Sequence, residues 1–214
     1  MRRYPSESQS RTFICASIVA ALAVGLTGCG GPFNVKPRAA VPPVTTMPQG
    51  RAGSLAVSAE PVTDEDFLYN AFNADLIMAG ILPVWVKVAN GGEAAIDLKK
   101  SEWSLSSQSG PYRRLEPAKA YKRLVSFYQI KAYSKAGYQQ SRGDFDSTAL
   151  DLTVPAAAGA TREGYLFFSV PAELARKNEF KLVIRKIGQP PGANDQSIQI
   201  DLESSQTGAV PNRP

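Results

Sequence analysis

Histidine is absent from this chain of 214 residues, and cysteine occurs only twice, as Cys15 and Cys29. Without an imidazole, Ser-His-Asp and Cys-His catalysis, histidine acid–base chemistry and histidine metal sites are excluded. The sequence also lacks the G-x-S-x-G, S-x-x-K, G-x-G-x-x-G and P-loop patterns. These absences exclude most hydrolase templates, and we predict a protein that is not an enzyme and holds neither a cofactor nor a metal.

The charge balance is mildly basic. Lys and Arg number 24 against 19 for Asp and Glu, a formal net charge of +5. A nucleic-acid-binding domain needs a much stronger basic field on one face, so we expect no nucleic-acid partner. Within one predicted helix, Lys119, Lys122 and Arg123 are candidates for contact with an anionic surface.

The N-terminus has the three parts of a secretory signal. Arginines among the first eleven residues precede an uncharged, largely apolar run over residues 12–25, which is too short to span a bilayer with margin. The run leads into Leu26-Thr27-Gly28-Cys29. This box resembles the bacterial lipobox. The resemblance implies a signal peptide at 1–28 and a mature chain whose first residue, Cys29, is thioether-linked to diacylglycerol and anchors the protein in a membrane.

Two further expectations follow from the lipobox. The residue after Cys29 is Gly30 rather than the aspartate that retains Gram-negative lipoproteins in the inner membrane, so the resemblance implies the outer membrane, on its periplasmic face. Because Cys15 lies in the signal peptide, the mature chain keeps no free thiol and no disulfide. Its stability must therefore come from a packed core.

Composition divides the mature chain into three parts. Residues 29–53 contain the predicted lipidated cysteine and then five prolines and four glycines, and this composition predicts a tether. Residues 54–203 are predicted to form one folded domain, and residues 204–214 a disordered tail.

About eight short segments of the domain alternate apolar and polar residues. This pattern is typical of antiparallel strands with one wet face, and the number of strands favours two stacked sheets. The segments are 55–59, 82–88, 96–98, 103–105, 150–154, 166–170, 180–184 and 198–202.

Two segments have helical periodicity instead. Residues 64–78 follow a possible N-cap at Thr63, and residues 116–132 begin with Pro117 and carry an apolar stripe through Tyr121, Leu124, Val125, Tyr128 and Ala132. We expect both helices to pack on the sandwich. They would cover three aromatic side chains that point away from the main apolar stripes, namely Trp85, Tyr165 and Phe167.

The runs LPVWVKVANGGEAAIDLKKSEWSL (residues 82–105), TREGYLFFSVP (161–171) and FKLVI (180–184) resemble immunoglobulin-like lipoproteins of the bacterial envelope. The resemblance implies a mainly β fold, a two-sheet immunoglobulin-like sandwich of about seven to eight strands with two added helices. It implies no activity, because such domains have no catalytic residue to carry over.

We therefore expect a non-catalytic binding or structural module whose partner is an unidentified envelope protein or glycan. One alternative is a component of a secretion system or of envelope assembly. The other is a hydrolase that uses only carboxylates, for instance Asp144, Asp146 and Glu163. A pocket with convergent carboxylates would favour the enzyme, and a flat or aromatic surface would favour the binding module.

We expect the substitution Cys29→Ser to leave an unprocessed or soluble precursor, because it removes the thiol that carries the lipid. Mass spectrometry of the mature N-terminus checks this expectation. A mature chain that begins at another residue without acyl modification would contradict the lipobox interpretation.

Overall fold

The computed structural model describes residues 32–42, 47–130, 134–177, 179–187 and 197–202. In these ranges the protein is mainly β, with two antiparallel sheets, so the predicted fold class is confirmed at that level. The signal peptide, Cys29, Ala132 and the C-terminal tail lie outside the described residues.

The larger sheet has five strands in the order β1-β2-β3-β7-β6, and the smaller has four in the order β5-β4-β8-β9. The nine described strands are β1 (Gln49–Ala52), β2 (Leu55–Pro61), β3 (Ile81–Asn90), β4 (Glu102–Ser107), β5 (Gly110–Tyr112), β6 (Arg114–Leu115), β7 (Thr161–Ser169), β8 (Phe180–Arg185) and β9 (Ile198–Leu202).

The inner faces of the sheets carry the predicted apolar stripes. In the register of the five-stranded sheet, Val84 pairs with Leu166 and Leu82 with Phe168, which places these side chains on one face. Leu182 of β8 is fully buried in the same core cluster. Alternation along the strands therefore predicted the sandwich core.

Four helices accompany the sheets in the described part of the chain, where we predicted two. They are α1 (Glu65–Phe72), α2 (Pro117–Phe127), α3 (Lys135–Asp146) and α4 (Ala172–Ala175). The first is shorter than predicted because Asn73 adopts a left-handed conformation with φ of 57° and ends it. Its N-cap is Asp64 rather than Thr63, since the Asp64 carboxylate accepts a hydrogen bond from the Phe67 amide at 2.7 Å.

The third helix was not predicted, because its sequence KAGYQQSRGDFD is polar and contains two glycines. Ser134 caps it by accepting a hydrogen bond from the Gly137 amide at 3.0 Å. Asp144 and Asp146, which were named for the hydrolase alternative, therefore lie in the last turn of a helix.

Two predicted strands do not form. The backbone of residues 148–150 makes a single parallel bridge from Ala149 to Tyr165, and Asp151 then accepts a hydrogen bond from the Thr153 amide at 2.8 Å and turns the chain. Residues 96–98 likewise contribute only one bridge, from Ile96 to Ala156. Alternation in these short segments reflects burial beside the sheet rather than strand pairing.

The helices cover the outer face of the five-stranded sheet. The Phe72 ring of α1 lies 5.4 Å from Tyr165, and the Phe145 ring of α3 stacks on Phe167 at 4.8 Å. Trp85 lies 4.8 Å from Tyr165, so all three predicted outward aromatic residues are buried. In α2, Tyr121 and Leu124 are buried as the apolar stripe predicted.

Residues 33–42 pack on these helices and do not form the predicted tether. Phe33 is 4% exposed, and the Ser141 hydroxyl both donates to the Phe33 carbonyl at 2.7 Å and accepts from the Phe33 amide at 3.3 Å. A 3₁₀ helix at Pro37–Ala40 follows, and the Tyr165 hydroxyl donates to the Ala40 carbonyl.

The end of the predicted tether is also part of the domain. Strand β1 at Gln49–Ala52 pairs with β2, five residues before the predicted domain boundary. The tether prediction rested on proline and glycine content alone. It was wrong for the residues above because the apolar side chains spaced along them pack on the domain. The tether prediction stands only for residues 29–31 and 43–46, which lie outside the described residues.

We expect the substitution Phe168→Ala to lower the free energy of unfolding by about 3–5 kcal/mol, because it removes a fully buried aromatic ring from the core. Chemical denaturation measures the loss. Phe127→Ala is the matched control, since Phe127 is 46% exposed and its loss is expected to have a much smaller effect. Equal effects of the two substitutions would show that Phe168 is not part of the packed core.

Candidate functional site

A cleft of about 470 Å³ lies at the edge of the five-stranded sheet. It forms where β7 changes its pairing partner. Strand β6 pairs with Phe167 and Phe168, whereas residues 148–150 pair with Tyr165. The two partners separate because Pro117 starts α2 directly after β6, and the space between them is the cleft.

Glycine allows the close approach that closes one end of the cleft. The Tyr165 amide donates to the Thr148 carbonyl, and the Leu150 amide donates to the Tyr165 carbonyl, both at 2.9 Å. Gly164 precedes this contact with φ of 156°, and a Cβ atom there would lie 2.6 Å from the Leu150 nitrogen. A larger residue at this position would push residues 148–150 off the sheet.

The cleft combines an apolar floor with charged groups of both signs. Leu115, Pro117, Leu150 and Leu152 supply apolar surface. The charged side chains that line the cleft are Lys99, Arg114, Glu116, Asp146 and Asp151.

Two of the three carboxylates are engaged by neighbouring groups. The Arg114 guanidinium lies 2.8 Å from Glu116, which makes an ion pair within the lining. Hydrogen bonds from the Thr153 hydroxyl and amide lower the pKa of Asp151. Asp151 is therefore a fixed negative charge at neutral pH and is unsuited to donate a proton.

Asp146 is the carboxylate of the cleft that can still accept a hydrogen bond. Its Oδ2 lies 3.4 Å from the Arg142 Nε, one turn earlier in α3. Its Oδ1 is buried and has no hydrogen-bond partner among the described residues. A ligand donor that reached this oxygen would satisfy it.

The carboxylates named for the hydrolase alternative are not gathered together in this cleft. Asp146 lines it, but Asp144 and Glu163 do not. Paired carboxylate catalysis needs one carboxyl whose pKa is raised so that it acts as an acid. The pKa of Asp151 is shifted in the opposite direction, so the cleft does not favour this chemistry.

No group of three or more acidic or cysteine side chains in the described ranges is placed to hold a metal ion. Over the same ranges, none of the helices combines the length and apolar character needed to cross a membrane.

The three basic residues singled out in α2 differ from one another. Lys119 and Lys122 are exposed. The Arg123 guanidinium, although exposed, donates to the Gly80 carbonyl at 3.0 Å and to the Ser169 hydroxyl at 2.7 Å. Arg123 therefore ties α2 to the ends of β3 and β7, so its guanidinium is less free than the two lysines to contact an anionic surface.

The cleft could not be found from a local motif. Its charged residues come from positions 99, 114, 116, 146 and 151, and the sheet brings them together only because 148–150 docks on Tyr165. The one local signal for the cleft was the turn at Asp151-Leu152-Thr153. The alternation of apolar and polar residues over 150–154 led us to predict a strand there instead.

Neither a protein-family model nor a curated protein matches this chain. Among solved structures, it is similar to ycdA of Bacillus subtilis, described as a candidate lipoprotein, with 13% identity, a TM-score of 0.41 and coverage of 73% of this chain. The chain spans 39% of that protein.

Two further structures show weaker likeness. A conserved hypothetical protein from Bacillus anthracis is 11% identical, with a TM-score of 0.35 over 65% of this chain and 88% of that one. A DUF4426 family protein from Pseudomonas aeruginosa is 10% identical, with a TM-score of 0.29 over 72% of this chain and 91% of that one. All three superpose too loosely to establish a shared fold.

Proposed function

We propose that this protein is a lipid-anchored lipoprotein of the bacterial envelope and acts as a non-catalytic binding module. Support for the anchor comes from the signal sequence and the Leu26-Thr27-Gly28-Cys29 box. With Gly30 after the cysteine, we place it at the outer membrane, facing the periplasm. The sandwich is proposed to be immunoglobulin-like, in keeping with its two antiparallel sheets.

The proposal of a binding role rests on the cleft, which combines an apolar floor with positively and negatively charged side chains. A volume of about 470 Å³ lies within the ordinary range for binding sites. Lys99 offers a cation, Asp151 a fixed anion and Asp146 an unsatisfied oxygen.

We infer that the ligand is a short peptide segment of another envelope protein, with apolar and charged side chains. A neutral glycan has no charges to match Lys99 and Asp151. Phe167 is buried, so its ring offers little surface for stacking on a sugar. A role in a secretion system or in envelope assembly is a special case of the same activity, in which the bound segment belongs to another component of the assembly.

Site-specific photo-crosslinking in living cells tests the proposal. A photoreactive residue at Ala118, which lines the cleft, is expected to give a discrete protein adduct. The matched control is the same residue at Gln199, which is exposed on β9 of the other sheet. Lys99→Glu is expected to reduce the Ala118 adduct several-fold, because it reverses a charge that the ligand is proposed to recognise.

Adducts of equal yield from both positions, or an Ala118 adduct unchanged by Lys99→Glu, would contradict recognition in the cleft. A hydrolytic activity of the purified protein that Asp146→Asn abolished would instead support the carboxylate enzyme.

A further inference from the structure

The packing of Phe33 leaves very little chain between the domain and the predicted lipid anchor. Only residues 30–32 separate Cys29 from the buried Phe33. Four fully extended steps span at most about 14 Å. A compact domain of about 150 residues has a radius of gyration of about 15 Å and is therefore more than twice as wide as this reach. Acylation of Cys29 would therefore hold the surface around Phe33 within about 14 Å of the membrane.

That surface is built around Tyr128, at the end of α2. The Phe33 and Phe127 rings lie 5.9 Å and 5.0 Å from Tyr128. The Tyr128 hydroxyl donates to the Asp75 carbonyl at 3.1 Å. Burial is the main cause that raises the pKa of Tyr128 to about 12, and a hydrogen bond with the Tyr69 side chain is the second cause. The two tyrosines are therefore neighbours.

Exposed apolar side chains collect at the same place. Tyr69 is 45% exposed, Met78 52% and Phe127 46%, and they are three of the five large apolar residues in the described chain with such exposure. The Met78 amide donates to the Asp75 carboxylate at 3.4 Å, and the Asp75 carbonyl accepts from the Tyr128 hydroxyl, so Met78 lies near the end of α2. We call these three residues the apolar patch.

Charges next to the apolar patch suit an anionic bilayer. Lys119, Arg123 and Phe127 follow one another at intervals of four residues along α2, so they form one stripe with the aromatic ring at its end. A long basic side chain such as Lys119 reaches headgroups while its stem covers apolar surface. Acidic groups on the neighbouring α1 are Glu65, which lies 3.5 Å from Arg176, and Asp66.

We propose that the apolar patch docks on the surface of the bilayer in which Cys29 is anchored, with Lys119 and Lys122 at its edge. This inference rests on the proposed acylation of Cys29. It commits to lipid as the occupant, because the three-residue link brings the patch to the membrane whatever protein partner is present.

The test uses the full acylated chain in vesicles of phosphatidylethanolamine and phosphatidylglycerol. Acylation blocks Cys29, so an engineered cysteine is the one free thiol and accepts an environment-sensitive NBD dye. Phe127→Cys carries the dye at the patch, and Gln199→Cys on β9 is the matched control. Met78→Cys provides a second patch position, and thermal melts of the labelled variants show that each one folds.

We expect the dye at residues 127 and 78 to shift to shorter emission wavelength and to be quenched by brominated lipid, whereas the dye at residue 199 stays water-like. A flexible 20-residue Gly/Ser insertion between Gly31 and Pro32 adds a root-mean-square reach of about 25 Å. It is expected to reduce quenching at residue 127 at least two-fold without changing flotation of the protein with the vesicles.

The possible failures are distinguishable. Protein that does not float with vesicles would refute the anchor, and with it this inference. Protein that floats while the dye at residues 127 and 78 stays water-like would refute docking and leave the anchor intact. An emission shift that rises with protein density and is insensitive to brominated lipid would show a second copy on the patch, which also overturns the proposal.

Discussion

The outer face of the five-stranded sheet is aromatic and must be covered, and the rest of the architecture depends on this constraint. Trp85, Tyr165 and Phe167 lie on the face that an isolated sandwich would leave to water. Burying rings of this size is strongly favourable, and a buried Tyr hydroxyl also needs a partner. Helices α1 and α3 supply Phe72 and Phe145 against the rings, and the N-terminal segment supplies the Ala40 carbonyl for Tyr165. The helices are therefore a third layer of the core rather than additions to a finished sandwich.

The same constraint determines where the N-terminus lies. Ser141 of α3 binds both backbone groups of Phe33 and also accepts a hydrogen bond from the Tyr121 hydroxyl at 2.8 Å, so one small side chain joins α2, α3 and the N-terminal segment. The layer of helices and N-terminal residues that covers the sheet thus begins at Phe33, close to the predicted acylation site. Residues 33–42, which were predicted to belong to a tether, are instead part of the domain. The cleft arises at the opposite end of the cover, where α2 begins.

Sequence patterns predicted the elements in which the local period and the burial agree. Strands β2, β3, β4, β7, β8 and β9 and the stripe of α2 were predicted in this way. The three outward aromatic residues correctly predicted that helices cover this face of the sheet. Helix α3 was missed because its few apolar contacts, Phe145 above all, do not make an apolar stripe. The tether prediction for residues 33–42 was wrong because it rested on proline and glycine content alone. Composition does not show that Phe33 and Val35 are buried against the helices. Of the cleft, sequence analysis singled out Asp146 but not Glu116 or Asp151, because tertiary contacts alone bring the lining residues together.

Native-state hydrogen exchange at single-amide resolution tests whether residues 33–42 belong to the folded layer over the sheet. The Lys36 amide donates to the Ala71 carbonyl of α1 at 2.7 Å, and β3 lies at the centre of the five-stranded sheet. We expect the Lys36 amide to be strongly protected, within about a factor of ten of amides in α1, because the segment opens only when the helical layer opens. Exchange of Lys36 at the rate of an unfolded peptide, while amides of α1 and β3 remain protected, would show that the segment is a free tether and would contradict the account.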